Sequence, residues 1–168
     1  MIQKKICMVG FHATGKTSLV RQFVDSIFSE RYLSTVGVKI DRKPVDLGGT
    51  DVNLLLWDLE GRGNGGDLRV SYLRGAAAIL YVVDGTRPDT LDGAFELRDR
   101  VVEAVGDVPS IVALNKSDLE SDWQLGSDAY SRLESARLPF FLTSAKTGGH
   151  VEEAFHRLAT ATLSQSDD

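Results

Sequence analysis

The stretch Gly10-Phe11-His12-Ala13-Thr14-Gly15-Lys16-Thr17 decides the fold. It has the pattern G-x-x-x-x-G-K-[ST] and lies between an apolar segment and a segment with helical spacing. In such a turn, backbone N–H groups and the N-terminal end of the helix bind phosphate oxygens. Lys16 supplies a positive charge for the phosphates and the Thr17 hydroxyl a ligand for Mg²⁺. The predicted nucleotide-binding residues here are Gly10, His12, Ala13, Thr14, Gly15, Lys16, Thr17 and Ser18.

Strand-like and helix-like segments alternate on both sides of this turn. Helical spacing is seen at residues 15–28, 91–105, 123–136 (weaker) and 151–163. Strand-like segments lie at residues 6–9, 36–47, 52–57, 77–83, 110–114 and 139–142. The alternation predicts one α/β domain over residues 1–168, with a mainly parallel sheet, one antiparallel edge strand and helices on both faces. Ligands of such sheets bind at the carboxyl ends of the strands.

Composition agrees with a single globular domain. The chain has 168 residues, 42% of them hydrophobic, which is enough for a proper core. The net charge is −5 and basic residues are scattered, which argues against binding to nucleic acid or an anionic membrane. We find no signal peptide, membrane-spanning stretch or lipid-modification motif. The expectation is a soluble, cytoplasmic monomer without a lipid anchor in this chain.

Two further loops predict that the base is guanine. The strand at 110–114 ends in Asn115-Lys116-Ser117-Asp118, and the last strand ends in Thr143-Ser144-Ala145-Lys146. The carboxylate of Asp118 can accept hydrogen bonds from guanine N1–H and the N2 amine, a donor pair that adenine lacks. The stem of Lys116 can lie over the ring, and Asn115 can tie its loop to residues 10–17. The predicted base-binding residues are Asn115, Lys116, Asp118, Ser144, Ala145 and Lys146, with a backbone N–H of the second loop meeting guanine O6.

These motifs resemble those of the Ras-superfamily small GTPases, most closely the Rab branch, over nearly the whole chain. The resemblance implies a P-loop NTPase fold with a six-stranded sheet and about five helices. It also implies GTP and GDP as ligands and Mg²⁺ as cofactor. In that family, the chain would be a GTP-hydrolysing switch with protein effectors, an activating protein and an exchange factor as partners.

The same resemblance assigns roles to residues near the γ-phosphate. Thr35 would close over Mg²⁺ and the γ-phosphate in the GTP state, and the Gly61 N–H would contact that phosphate. Asp58 would hold Mg²⁺ through water, which makes the metal set Thr17, Thr35 and Asp58. Phe28 would stack edge-on against guanine, although a core position on the first helix is an equal alternative. Residues 35–40 and 61–73 would face partners in one nucleotide state only.

The hydrolytic residues depart from the family pattern. Where the family usually has Asp-Thr-Ala-Gly-Gln, this chain has Asp58-Leu59-Glu60-Gly61-Arg62. The missing glutamine normally orients the attacking water, and a guanidinium group has donors only. His12 also stands where many relatives have glycine. The predicted catalytic set is Lys16, Thr35, Gly61 and Arg62, with slow intrinsic hydrolysis.

Three mechanistic alternatives remain open from the sequence. In the first, a partner supplies the group that positions water. In the second, Arg62 acts in cis as the cation that stabilises the transition state, with Glu60 or His12 orienting water. In the third, turnover is negligible and the chain is a pseudo-GTPase that only holds nucleotide. A P-loop ATPase or nucleotide kinase is disfavoured by the guanine-type loop at residues 115–118.

Overall fold

A seven-stranded sheet with helices on both faces is the framework of the computed structural model, which describes residues 2–24, 31–33, 38–59 and 68–166 (backbone alone at 31–33 and 165–166). The strands are β1 (Ile2–Val9), β2 (Arg31–Leu33), β3 (Lys39–Leu47), β4 (Thr50–Asp58), β5 (Ala76–Asp84), β6 (Ser110–Asn115) and β7 (Phe140–Leu142). The α-helices in this part of the chain are α1 (Lys16–Val24), α2 (Asp89–Val105), α3 (Ser127–Ser135) and α4 (Val151–Ser166).

The order of the strands indicates which edge of the sheet binds a ligand. The sheet runs β2-β3-β4-β1-β5-β6-β7. Strands β4, β1, β5, β6 and β7 are mutually parallel, and β3 is antiparallel to both β4 and β2. From β1 the chain continues to β2 on one side of the sheet, and from β5 it continues to β6 on the other side, so the carboxyl ends of β1 and β5 flank a point where the strand order reverses. Crevices at such points are where open α/β sheets bind ligands.

Burial and turn chemistry explain the elements. Most of β5 and β6 is buried, as their continuous apolar runs predict for strands covered on both faces. The hairpin between β3 and β4 turns at Gly48 and Gly49, whose φ angles are +64° and +95°. A two-residue hairpin turn with positive φ at both positions is the kind that glycine favours.

Two apolar layers lie on the two faces of the sheet. One includes side chains of α1 and α4, where the fully buried rings of Phe23 and Phe155 stack with centroids 4.2 Å apart. The other includes side chains of α2 and α3. No helix in the part of the chain described here is long and apolar enough to cross a membrane.

The predicted fold class is confirmed, with differences in detail. The structure adds the three-residue edge strand β2, and its described residues contain four α-helices where about five were expected. The helix predicted from residue 123 begins at Ser127. A short 3₁₀ turn at Glu120–Asp122 precedes the predicted start, and Trp123 itself has an extended backbone. The Trp123 ring lies so close to Gly85 that a Cβ at residue 85 would collide with it. Helix α1 is described as far as Val24, and the predicted extension to residue 28 lies outside the described residues.

Candidate nucleotide-binding site

Residues 10–17, here called the phosphate loop, connect β1 to α1 at the carboxyl edge of the sheet. A Cβ at Gly10 would collide with the carbonyl oxygen of Val82 on the neighbouring β5. Gly15 has φ +101°, and the side chain of Asn115 lies where its Cβ would be. Both positions therefore require glycine, one for a close approach and one for its backbone conformation as well.

The side chain of Lys16 folds back over the phosphate loop. It is 6% exposed, and its Nζ donates hydrogen bonds to the carbonyl oxygens of Gly10 at 3.0 Å and Phe11 at 2.9 Å. A buried ammonium group needs such acceptors, because leaving it unpaired away from water costs several kcal/mol, roughly. The contacts hold one positive charge within the loop.

Thr17 and Asp58 bring a hydroxyl and a carboxylate together. The Thr17 hydroxyl donates to Asp58 Oδ2 across the sheet edge. Asp58 ends β4 and is 1% exposed, yet its Oδ1 has no hydrogen-bond partner among the residues that the structure describes. Buried polar atoms are nearly always paired, so an unpaired carboxylate oxygen indicates a missing donor or cation. Hydroxyl and carboxylate oxygens are the ligands that hard divalent cations take.

Asn115, at the end of β6, connects three loops. Its Nδ2 donates to the Thr14 carbonyl at 3.0 Å, which is the link to the phosphate loop expected from the sequence. Its Oδ1 accepts from the Thr143 hydroxyl at 3.2 Å. The side chain is buried, so both of these bonds are shielded from water.

Asp118 is held by the loop that follows β7. The Ser144 hydroxyl donates to Asp118 Oδ1 at 2.8 Å, and the Ser144 oxygen accepts from the Thr147 N–H at 3.0 Å. The Ser117 N–H donates to the Thr143 carbonyl at 3.0 Å. The two predicted base-binding loops are therefore one hydrogen-bonded unit, with the half-buried Asp118 carboxylate as part of it.

Sequence reasoning missed Asp84 and Arg87, which lie beside Lys116. Asp84 Oδ2 is 2.7 Å from the Lys116 Nζ and 3.0 Å from the Arg87 Nε, and Oδ1 accepts from the Thr86 N–H and hydroxyl. Burial alone would raise the pKa of Asp84, but the hydrogen bonds from Lys116, Thr86 and Arg87 together outweigh it and lower the pKa to about 2. A usable signal was present: Asp84 is a charged residue closing an apolar strand at the ligand edge.

The other predicted residues divide into two groups. His12, Ala13, Ser18 and Lys146 are exposed at the same edge of the sheet, and Ala145 is half-buried. Predicted residues outside the described part of the chain are Phe28, Thr35, Gly61 and Arg62.

Comparisons with known proteins agree with this geometry. The family model for the Ras family matches residues 5–164. The chain is 35% identical over 160 residues to the Ras-related protein Rab-1 of Theileria annulata, covering 94% of this chain and 73% of that protein. It is 35% identical over 155 residues to Rab-2B of Dictyostelium discoideum, covering 91% and 77%. It is 34% identical over 165 residues to human Rab-4B, covering 97% and 78%.

Proposed function

The chain belongs to the Ras family of small GTPases, and on that premise we propose that it is a Mg²⁺-dependent GTP/GDP switch with slow intrinsic hydrolysis. It hydrolyses GTP to GDP and phosphate and signals to protein partners through two switch loops. We treat residues 1–168 as a single small-GTPase domain.

The main support for the proposal is that hydrogen bonds join the phosphate loop to the two base-binding loops. Asn115 bonds to Thr14 on one side and Thr143 on the other, and Ser144 bonds to Asp118. These contacts bring a phosphate-type turn and a guanine-type acceptor to one edge of the sheet. A single nucleotide can then contact both, with Asp118 accepting from the base and the phosphate loop binding the phosphates.

Mg²⁺ fits the pair formed by Thr17 and Asp58. The buried Oδ1 of Asp58, which is unpaired within the described part of the chain, gains a partner when a cation or its bound water lies beside it. We propose that Thr17 ligates the ion directly, that Asp58 holds it through water, and that Thr35 joins them in the GTP state. The ion would supply charge neutralisation on the β- and γ-phosphates.

Slow hydrolysis follows from the chemistry of residue 62. Arg62 has only donors, so it cannot accept a proton or a hydrogen bond from the attacking water. Lys16 can exchange the carbonyl oxygens of Gly10 and Phe11 for phosphate oxygens and stabilise the negative charge of the transition state. Binding and charge stabilisation would therefore be intact, while the positioning of water would depend on a partner.

A half-exposed apolar surface supports the proposed partner contacts. Ile40 on β3 lies opposite Trp57 on β4, and the Trp57 ring lies 6.5 Å from the Tyr72 ring. All three side chains are half-buried, and Val70, two positions before Tyr72 in the sequence, is 44% exposed. Ile40 belongs to the first proposed switch segment, and Val70 and Tyr72 belong to the second. Aromatic side chains of this kind are enriched where protein partners bind.

The direct test is nucleotide selectivity. Titrations of the purified, nucleotide-depleted protein with fluorescent GDP and ADP analogues, with Mg²⁺ and with EDTA, give four dissociation constants. We expect GDP to bind at least about 10⁴-fold more tightly than ADP, because adenine would leave the Asp118 carboxylate unmatched. We also expect Mg²⁺ to tighten GDP binding. Equal affinity for ADP would refute the guanine-specific switch and favour a P-loop ATPase or nucleotide kinase.

A further inference from the structure

One buried carboxylate is connected through two cations to two consecutive carbonyl groups of the phosphate loop. Lys116 Nζ lies 2.7 Å from Asp84 Oδ2 and donates to the Ala13 carbonyl at 3.0 Å. Arg87 Nε lies 3.0 Å from the same Oδ2, and its Nη2 donates to the His12 carbonyl at 2.8 Å. Asp84 therefore holds, by way of Lys116 and Arg87, both peptide groups that flank Ala13.

The carboxylate itself is firmly placed. Asp84 Oδ1 accepts from the Thr86 N–H at 2.9 Å and from the Thr86 hydroxyl at 2.7 Å. The Asp84 N–H donates to the hydroxyl oxygen of Thr90, which is fully buried at the start of α2. With Lys116 Nζ and Arg87 Nε on Oδ2, each of the two carboxylate oxygens accepts from two donors. The group can serve as a fixed anchor for the more exposed side chains of Lys116 and Arg87.

The direction of a carbonyl fixes the direction of the N–H in the same peptide unit. A trans peptide is planar, and its C=O and N–H bonds point in opposite directions. Turning the His12 and Ala13 carbonyls toward the two cations therefore turns the N–H groups of Ala13 and Thr14 the other way. Ala13 has φ +61°, which a residue with a side chain seldom adopts without support from its surroundings.

We propose that Arg87, anchored by Asp84, is a positioning residue for phosphate binding. It holds the His12 carbonyl outward, so that the N–H of Ala13 is aimed at the phosphates of the bound guanine nucleotide. Successive N–H groups aimed inward form the concave anion site that such loops provide. Through Lys116, the same carboxylate links the base-binding loop to the phosphate loop. This inference rests on the proposed guanine-nucleotide function.

The test compares Arg87→Ala with a matched control, Arg132→Ala. The two arginine side chains are 41% and 46% exposed, and each pairs with an aspartate. Arg132 pairs with Asp92 and lies over the Phe95 ring, so its contacts join α3 to α2. Each protein is loaded with a fluorescent GDP analogue, and its dissociation is followed under excess GDP. In parallel, ³¹P NMR of GDP bound at saturation reports the phosphate environment.

We expect GDP to leave Arg87→Ala about tenfold to a hundredfold faster than it leaves the wild type, the usual effect of losing a charge-assisted hydrogen bond. At saturation a phosphorus resonance should also shift in Arg87→Ala, whereas Arg132→Ala should match the wild type in both measurements. A purely structural role for Arg87 would leave the phosphorus resonances unchanged.

Unchanged dissociation or unchanged resonances in folded Arg87→Ala would overturn the inference and leave the proposed function standing. If circular dichroism shows that Arg87→Ala is unfolded, Arg87→Lys replaces it. Lysine retains the charge but lacks the forked guanidinium, so we expect about threefold faster release or more, and wild-type release would overturn the inference. Failure of the wild type to bind GDP would instead refute the proposed function.

Discussion

Replacing Asp118 by asparagine should exchange guanine for xanthine as the preferred base. In the structure the Ser144 oxygen accepts from the Thr147 N–H, so its own proton is free to donate to Asp118 Oδ1. An asparagine at residue 118 would keep its amide oxygen toward Ser144 and place its NH₂ group at the position of Oδ2. If Oδ1 is oriented by Ser144, Oδ2 is the oxygen that accepts from the guanine N2 amine, and the variant would replace this acceptor by a donor.

The size of the effect follows from these contacts. The variant loses one hydrogen bond to a charged acceptor, worth about 1.5–3 kcal/mol, and leaves two donors facing each other, which costs about 1–3 kcal/mol more. We therefore expect GDP affinity to fall by about 2.5–6 kcal/mol, or between about seventyfold and about twenty-thousandfold. Xanthine has a carbonyl at C2, which can accept from the new NH₂ group, so XDP affinity should rise.

In the assay, each protein is first bound to a fluorescent GDP or XDP analogue. Unlabelled GDP and XDP then displace the analogue, and the concentrations needed give the relative affinities for the two nucleotides. A suitable control is Ser117→Ala, since the Ser117 hydrogen bond to the base-binding loop after β7 is donated by its backbone N–H, which alanine retains. The control should keep the wild-type preference for GDP. An Asp118→Asn variant that retains this preference would refute the argument that Asp118 reads the base and that Ser144 sets its orientation.

Phe23→Ala removes a fully buried ring stacked at 4.2 Å on Phe155, so the free energy of unfolding in urea should fall by about 3–5 kcal/mol; a loss below about 1 kcal/mol would contradict the packing argument. Thr17→Ala removes the hydroxyl beside Asp58, so Mg²⁺ should slow GDP release much less than in the wild type, while release in EDTA stays similar. The pKa of Asp84 is lowered to about 2 when folded, so its stabilising effect is present above about pH 4, the unfolded value, and disappears as pH falls toward 2. The difference in unfolding free energy between wild type and Asp84→Asn should therefore shrink between pH 4 and 2, and a constant difference would contradict this linkage.

Local sequence patterns predicted much of the fold and the position of the phosphate loop. The G-x-x-x-x-G-K-[ST] pattern located the phosphate loop, because the close approach at Gly10 and the positive φ at Gly15 both require glycine. The apolar run of β5 predicted a strand covered on both faces. The resemblance to Ras-superfamily GTPases of the Rab branch is confirmed by the family match and the relatives, which lend no support to the pseudo-GTPase alternative.

Contacts between segments far apart in the chain could not be predicted from the sequence. Arg87 contacts His12 across 75 positions, and nothing near either residue indicates the pairing. The start of α3 was misplaced for a similar reason, since packing of Trp123 on Gly85 replaces the helical turn that local spacing suggested. Local propensity is a weak guide where tertiary packing decides the backbone.

Single-turnover hydrolysis of bound GTP tests the central claim most directly. Phosphate release is followed for the wild type, for Arg62→Gln, and for Arg157→Gln as a control that makes the same exchange at an exposed arginine of α4, outside both proposed switch segments. The account predicts slow release by the wild type and by Arg157→Gln, and faster release by Arg62→Gln, because glutamine can both accept from and donate to the attacking water. Rapid release by the wild type that slows in Arg62→Gln would contradict the account, as would complete absence of release from GTP-bound wild type and Arg62→Gln alike.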